Sequence, residues 1–223
     1  MIRGFYSSAA GMLGQLDKQD FIANNLANVN TPGYKRRALG FSSFSTNLQT
    51  VLSNTAPCVI PFATVREDSR QGLIQDTGVP TNFALDGSGF FVIQTEAGEK
   101  FVRGGNFKLD SDGRIVNSDG FPVLGQKGPI AVSGTDWYVD SEGSVYSGGK
   151  AVDKLRIEVD SSVAASSKPP RVIPGSLESS NVNTVEEMVS MITALRAYET
   201  CQRAIQALDQ TLDKVINQMG RIA

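Results

Sequence analysis

Asp110-Ser111-Asp112-Gly113 has the opening spacing of a calcium-binding loop. An EF-hand loop also needs further oxygen ligands and a closing glutamate at fixed offsets, and Val116, Asn117 and Ser118 do not supply them. A hairpin turn is the expected structure. Gly87-Ser88-Gly89 begins like a dinucleotide-binding fingerprint, but Val92 stands where the third glycine belongs and no βαβ pattern surrounds it. Glycines that permit a tight bend before a strand are expected instead. Glu67 and Asp68 are adjacent acids with nothing to mark them as buried or convergent, the pattern of a solvated surface. Cys58 and Cys201 are too few and too far apart for a disulfide framework or a zinc site, and are expected as buried free thiols.

The chain of 223 residues contains no histidine. That removes Ser-His-Asp and Cys-His catalysis, histidine-ligated zinc and the usual general base near neutral pH. No catalytic, cofactor-binding or metal-binding residue is assigned, and no cofactor is expected. A formal charge of −2, from 21 Lys and Arg against 23 Asp and Glu, offers no basic excess to a phosphate backbone, so nucleic acid is not an expected partner. With 40% hydrophobic residues the chain can bury a core. No apolar run approaches the ~18 residues of a membrane span, so no membrane insertion is expected. The stretch Met1 to Gly11 lacks the apolar centre of a secretory signal. A cytoplasmic protein, or one exported without a cleaved signal peptide, fits equally.

Two helices must position whatever this chain does. Ile2, Phe5, Ala9, Met12, Leu16, Ala23 and Leu26 recur at three- and four-residue steps interrupted by Gln19, forming one apolar stripe. Tyr6, Leu13, Phe21 and Ile22 widen it, and Asn28-Val29-Asn30-Thr31-Pro32-Gly33 stops the helix. At the other end Met191, Ala194, Tyr198, Cys201, Ile205, Leu208, Leu212, Val215 and Met219 hold the same alternation. Val185, Met188, Val189, Ile192 and Leu195 add a second stripe. Asn183, three residues before Glu186, is placed to cap that helix.

Between the helices the period drops to two. Phe90–Ile93, Lys100–Arg103, Asn106–Leu109 and Arg114–Val116 read as short strands, with Asp112-Gly113, Asp119-Gly120 and Gly104-Gly105 as turns. Phe107 to Gly113 is echoed by Trp137 to Gly143, which suggests two similar hairpins. Leu155–Val159 is expected as the last strand, and Ser161–Pro174 as an extended return. The fold class is therefore α+β, with N- and C-terminal helices forming a coiled-coil domain around a central, mainly-β domain. The expected divisions are an N-terminal helix (1–35), an extended linker (36–79), the β-domain (80–160), a return linker (161–179) and a C-terminal helix (180–223). Neither helix can bury its stripe alone. Phe5, Met12, Leu16, Leu26, Met191, Tyr198, Ile205, Leu208, Leu212 and Val215 are therefore expected to form an assembly interface.

Three stretches resemble the flagellar rod and hook proteins of the bacterial axial structure. The first is Ser8-Ala9-Ala10-Gly11-Met12 followed by Ile22 to Lys35, with Asn24-Asn25-Leu26-Ala27-Asn28 and Thr31-Pro32-Gly33-Tyr34-Lys35 at its centre. The second comprises Leu85-Asp86-Gly87-Ser88-Gly89-Phe90-Phe91, Arg103-Gly104-Gly105-Asn106-Phe107 and Asp119 to Gly125. The third runs through Ser180-Asn181-Val182-Asn183, Glu186 to Ile192 and Arg196-Ala197-Tyr198-Glu199. The resemblance implies a basal-body rod subunit exported unfolded through the flagellar type III apparatus. It would assemble with copies of itself and other rod and hook proteins into a hollow, torque-bearing shaft across the periplasm. The Phe41–Pro80 segment does not look like the longer insertion of distal rod proteins, so the proximal rod is favoured. The asparagines at the first helix's end are expected either to bond across subunits or to cap locally.

Overall fold

A computed structural model describes residues 2–43, 61–132, 134, 137–159 and 170–219. These divide into two compact units, one built from 1–27, 37–68 and 183–223, the other from 28–36 and 69–182.

The first unit is a helix pair with a hairpin. Helix α1 spans Ile2–Ala27 and helix α2 spans Thr184–Met219, about 39 and 54 Å at 1.5 Å per residue. The start of α2 is fixed as its sequence predicts. Asn183 Oδ1 accepts from the amides of Val185 (3.0 Å) and Glu186 (3.4 Å), and Glu186 and Glu187 lie at the positive end of the helix dipole. The end of α1 is set by the following turn, where Thr31 N–H donates to the Asn28 carbonyl and Pro32 can donate nothing. Strands β1 (Arg37–Ser43) and β2 (Pro61–Glu67) pair antiparallel, from Arg37 opposite Glu67 to Ser43 opposite Pro61.

Among the described residues the second unit holds twelve short strands: β3 (Ile74–Asp76), β4 (Phe83–Asp86), β5 (Phe90–Thr95), β6 (Gly98–Val102), β7 (Lys108–Leu109), β8 (Ile115–Val116), β9 (Trp137–Val139), β10 (Ser144–Ser147), β11 (Lys150–Lys154), β12 (Ile157–Glu158), β13 (Arg171–Pro174) and β14 (Ser176–Glu178). All pairings are antiparallel, in the orders β12-β5-β6, β11-β10-β9, β13-β4, β14-β3 and β7-β8. Alternate residues point inward, so Phe83, Leu85, Phe91, Ile93, Phe107, Ile115, Val145 and Val172 share one core. Phe107 meets Phe91 edge-on at 5.2 Å and Phe83 at 5.9 Å. Each buried side chain of this kind stabilises the fold by about 1.5–3 kcal/mol.

The echo between residues 107–113 and 137–143 is structural. In one copy the Asp110 amide donates to the Arg114 carbonyl and Gly113 N–H to the Asp110 carbonyl; in the other the same bonds join Asp140 to Ser144 and Gly143 to Asp140. Both glycines have positive φ, 72° and 81°, which a side chain would strain.

Four expectations are revised. Residues 36–79 hold β1, β2 and β3, where an extended linker was expected. The two arms of the β1–β2 hairpin are separated by 17 residues, so no short turn announces it. Leu155–Val159 is not the last strand: it contributes only β12, and β13 and β14 follow inside the expected return linker. Those strands pair with β4 and β3, which lie far earlier in the chain (Arg171 opposite Asp86, Ser176 opposite Asp76), a contact no local pattern can reveal. Gly104-Gly105, expected as a turn, is a place of close backbone approach, where a Cβ on Gly105 would lie 1.6 Å from the Phe83 carbonyl oxygen. α1 ends at Ala27, immediately before the Asn28–Gly33 stop, but residues 28–35 of the expected N-terminal segment (1–35) belong to the β-rich unit.

Candidate functional site

The helix pair is antiparallel and in fixed register. Gly4 faces Leu208, Gly11 faces Cys201 and Asn25 meets Glu187, so each step along α1 is matched by an equal step back along α2. These positions lie against α2: a Cβ on Gly11 would sit 3.4 Å from Cys201 Sγ, and one on Gly4 3.6 Å from Leu208 Cδ1, both ordinary contacts. At the lower end Asn25 is fully buried. Its amide brackets the backbone of Arg37, accepting from the N–H (3.0 Å) and donating to the carbonyl (2.8 Å), and also donates to Glu187 Oε2 (3.3 Å). This asparagine ties α1 to the start of β1 and to α2 within the chain. Gln19, which interrupts the apolar series, has its Nε2 buried without a partner, a cost of about 1–3 kcal/mol.

Among the expected interface residues, Met12, Leu26, Met191, Tyr198, Ile205 and Leu208 are half-buried, whereas Phe5, Leu16 and Leu212 are exposed. Val215 lies in α2. In the register above Leu212 falls beyond Ile2, the first described residue of α1. The stripe that pairing leaves open most completely is the second one on α2. Val185, Met188, Val189, Ile192 and Leu195 are 45–69% exposed, and on α1 Tyr6 and Leu13 are exposed as well. Cys201 is a free, half-buried thiol; Cys58 lies outside the described residues.

The β-rich unit carries a second constellation. Arg103, just past β6, is buried and its guanidinium makes four hydrogen bonds. Nη2 donates to the carbonyls of Leu85 (2.9 Å) and Gly87 (2.7 Å), Nη1 to that of Gly89, and Nε to Glu178 Oε2 (2.6 Å). The Gly87-Ser88-Gly89 stretch is therefore a carbonyl cradle for an arginine. Gly87 takes a positive φ of 108°, and a Cβ on Gly89 would press on Ile157 and Pro170.

Glu178 stands opposite on β14, flanked by a second cation. Lys35 Nζ donates to its Oε1 (2.6 Å) and to the Arg70 carbonyl (2.9 Å), and the Gly72 amide also donates to Oε1 (3.0 Å). All three charged side chains are buried, exposing 7% or less. Burial alone would push the Glu178 carboxyl up. The hydrogen bonds from Lys35 and the Gly72 amide, with the charge and hydrogen bond of Arg103, outweigh this and hold it below the usual carboxylate range. Backbones also close in: a Cβ on Gly33 would lie 2.4 Å from Gly104 N, and one on Gly72 2.0 Å from the Ser179 carbonyl oxygen.

Pattern reading missed Lys35, Arg103 and Glu178. Their only local signal is a charged residue beside small or β-prone neighbours, as in Arg103-Gly104-Gly105 and Ser176-Leu177-Glu178. Asp110, Asp112, Glu67 and the other acids singled out earlier do not join them. Among the described residues no group of three or more acids or cysteines is placed to hold a metal ion, and no helix is long and apolar enough to cross a membrane.

Helices from the two ends of the sequence brought into one pair, with a β-rich unit between them in chain order, define an α+β protein of helix–β–helix construction. Three family models match it: "Flagella basal body rod protein" over residues 5–35, "Flagellar hook protein FlgE/F/G D1 domain" over 84–164, and "Flagellar basal body rod FlgEFG protein C-terminal" over 173–219. The flagellar basal-body rod protein FlgG of Bacillus subtilis strain 168 is 30% identical over 263 aligned positions, covering 97% of this chain and 99% of that protein. FlgF of Rhizobium meliloti strain 1021 is 28% identical over 245 positions, with 99% of each chain covered. FlgG of Borreliella burgdorferi is 30% identical over 256 positions, covering 95% and 97%. The chain belongs to the flagellar basal-body rod protein family. Lys35, Arg103 and Glu178 fall one in each of the three matched segments.

Proposed function

We propose that this chain is a structural subunit of the flagellar basal-body rod, self-assembling through its terminal helices, as a coiled-coil layer, into a hollow shaft that transmits torque. The observation that carries this reading is the apolar ridge Val185, Met188, Val189, Ile192 and Leu195, exposed on a helix whose opposite face is already covered by α1. An apolar stripe of that extent seeks a partner. A contact that joins unlike faces of successive copies, and does not close, builds a helical filament. Its partners are copies of itself and other rod and hook proteins, and it performs no catalysis. It reaches the basal body through the flagellar type III export apparatus without a cleaved signal peptide. Within the rod we place it in the proximal rather than the distal part, because the Phe41–Pro80 segment does not look like the longer insertion of distal rod proteins.

The test is a strain carrying Val189→Asp with Ile192→Asp at the native locus. Both positions are exposed in the single chain, so the subunit should fold and be exported, yet the cells should lose motility and rods should be missing from isolated basal bodies. Normal swimming in that strain would overturn the assembly surface.

A further inference from the structure

The buried charges at the β-unit junction do not balance, since Lys35 and Arg103 share the single carboxylate of Glu178. Each cation reaches a different oxygen of that carboxylate, both at 2.6 Å, so the one carboxylate stands between them. They come from segments far apart in sequence, and the three ways of bringing two of them together are not equivalent.

Arg103 is placed by its own neighbourhood, because the carbonyls of Leu85, Gly87 and Gly89 lie within 18 residues of it. Adding Glu178 to that cradle gives a neutral, hydrogen-bonded pair. Adding Lys35 without Glu178 would bring a second cation beside the first, with only the Arg70 carbonyl to receive it. Like charges brought together out of water are strongly disfavoured. The backbone has the same dependence. Gly33 N–H donates to the Glu178 carbonyl (2.7 Å), Asn181 N–H to the Tyr34 carbonyl (3.3 Å), and Arg36 N–H to Asn181 Oδ1 (2.7 Å). The segment 33–36 thus docks on residues 178–181 as much as on the core.

We propose that Glu178 sets the order in which the β-unit closes: the segment 171–182 docks first, pairing Glu178 with Arg103, and the segment 28–36, carrying Lys35, docks last. The part of the unit nearest the N-terminus therefore stays open until residue 178 is in place. For a subunit delivered unfolded this prevents closure of an incomplete chain, a consequence that rests on the rod reading; the order of closure itself does not.

Pulse-labelling hydrogen exchange during refolding of the full-length wild-type chain tests the order directly. Peptides covering 90–95 and 171–178 should gain protection before the peptide covering 28–36. Protection of 28–36 earlier than, or together with, 171–178 would overturn the proposal. At equilibrium, Glu178→Gln should lower protection of 28–36 by about 100-fold or more while 90–95 stays protected; unchanged protection of 28–36 would overturn it. Should that variant fail to fold, Lys35→Met decides the matter. It should leave 171–178 protected as in the wild type, and equal opening of both segments would count against an ordered closure.

Discussion

Replacing Glu178 by glutamine and Lys35 by methionine, singly and together, probes the junction through a change of sign. Glu178→Gln is nearly isosteric and removes the one negative charge between Lys35 (7% exposed) and Arg103 (5% exposed). Two unit charges about 6 Å apart repel by about 3 kcal/mol at an effective dielectric constant of about 20. Breaking buried ion pairs by removing one partner costs about 3–5 kcal/mol, in agreement. Lys35→Met leaves Glu178 with Arg103 and the Gly72 amide, and methionine replaces most of the apolar stem. The charge-assisted hydrogen bonds to Glu178 and to the Arg70 carbonyl are lost, about 1.5–3 kcal/mol. In the Glu178→Gln background the same change removes a surplus cation and should stabilise by about 1–2 kcal/mol. The assay is urea unfolding followed by Trp137 fluorescence. Trp137 is the chain's single tryptophan and packs edge-on against Phe83 at 6.2 Å, so it reports the β-rich unit. If Lys35→Met destabilises equally in both backgrounds, charge imbalance does not govern the junction.

Leu208→Asp, in the covered seam, should lower the helical melting temperature of the isolated chain by circular dichroism and abolish motility, with the Trp137 transition unchanged. Gly105→Ala forces a Cβ to within 1.6 Å of the Phe83 carbonyl oxygen and should destabilise the β-unit by about 3 kcal/mol or more, read from the same Trp137 transition. Because the Glu178 carboxyl is held below its ordinary value, its contribution is fully present above the unfolded-state pKa, about 4.3, and is lost as pH falls through the folded-state value. Acid titration of the wild type should show this loss below about pH 4, and Glu178→Gln should flatten that part of the profile. Gln19→Met removes an orphaned buried donor and should raise the helical melting transition, a gain of about 1 kcal/mol.

Much of the architecture was legible in residue order alone. The stripe from Met191 to Met219 and the cap at Asn183 define α2 because helical periodicity and capping are local, set by residues three or four apart. The Asp-Ser-X-Gly turns at 110–113 and 140–143 were visible for the same reason: a tight turn is written in consecutive residues. The role of the glycines was only half legible. Gly113 and Gly143 have the positive φ that a turn asks for, whereas Gly105 is needed because another backbone passes beside it.

Tertiary structure alone decided which apolar stripe stays uncovered. Two stripes on α2 look alike in sequence. The antiparallel register with α1 covers the face of Met191, Tyr198 and Leu208 and leaves that of Val185, Val189 and Ile192 open. Tertiary structure also decided the junction. Lys35 and Arg103 lie 143 and 75 residues before Glu178 in the chain, and each of the three alone reads as an ordinary surface charge. Periodicity records which face of an element is apolar, but pairing between distant segments has no local signature. The charges that meet there acquire their meaning only from burial beside one another.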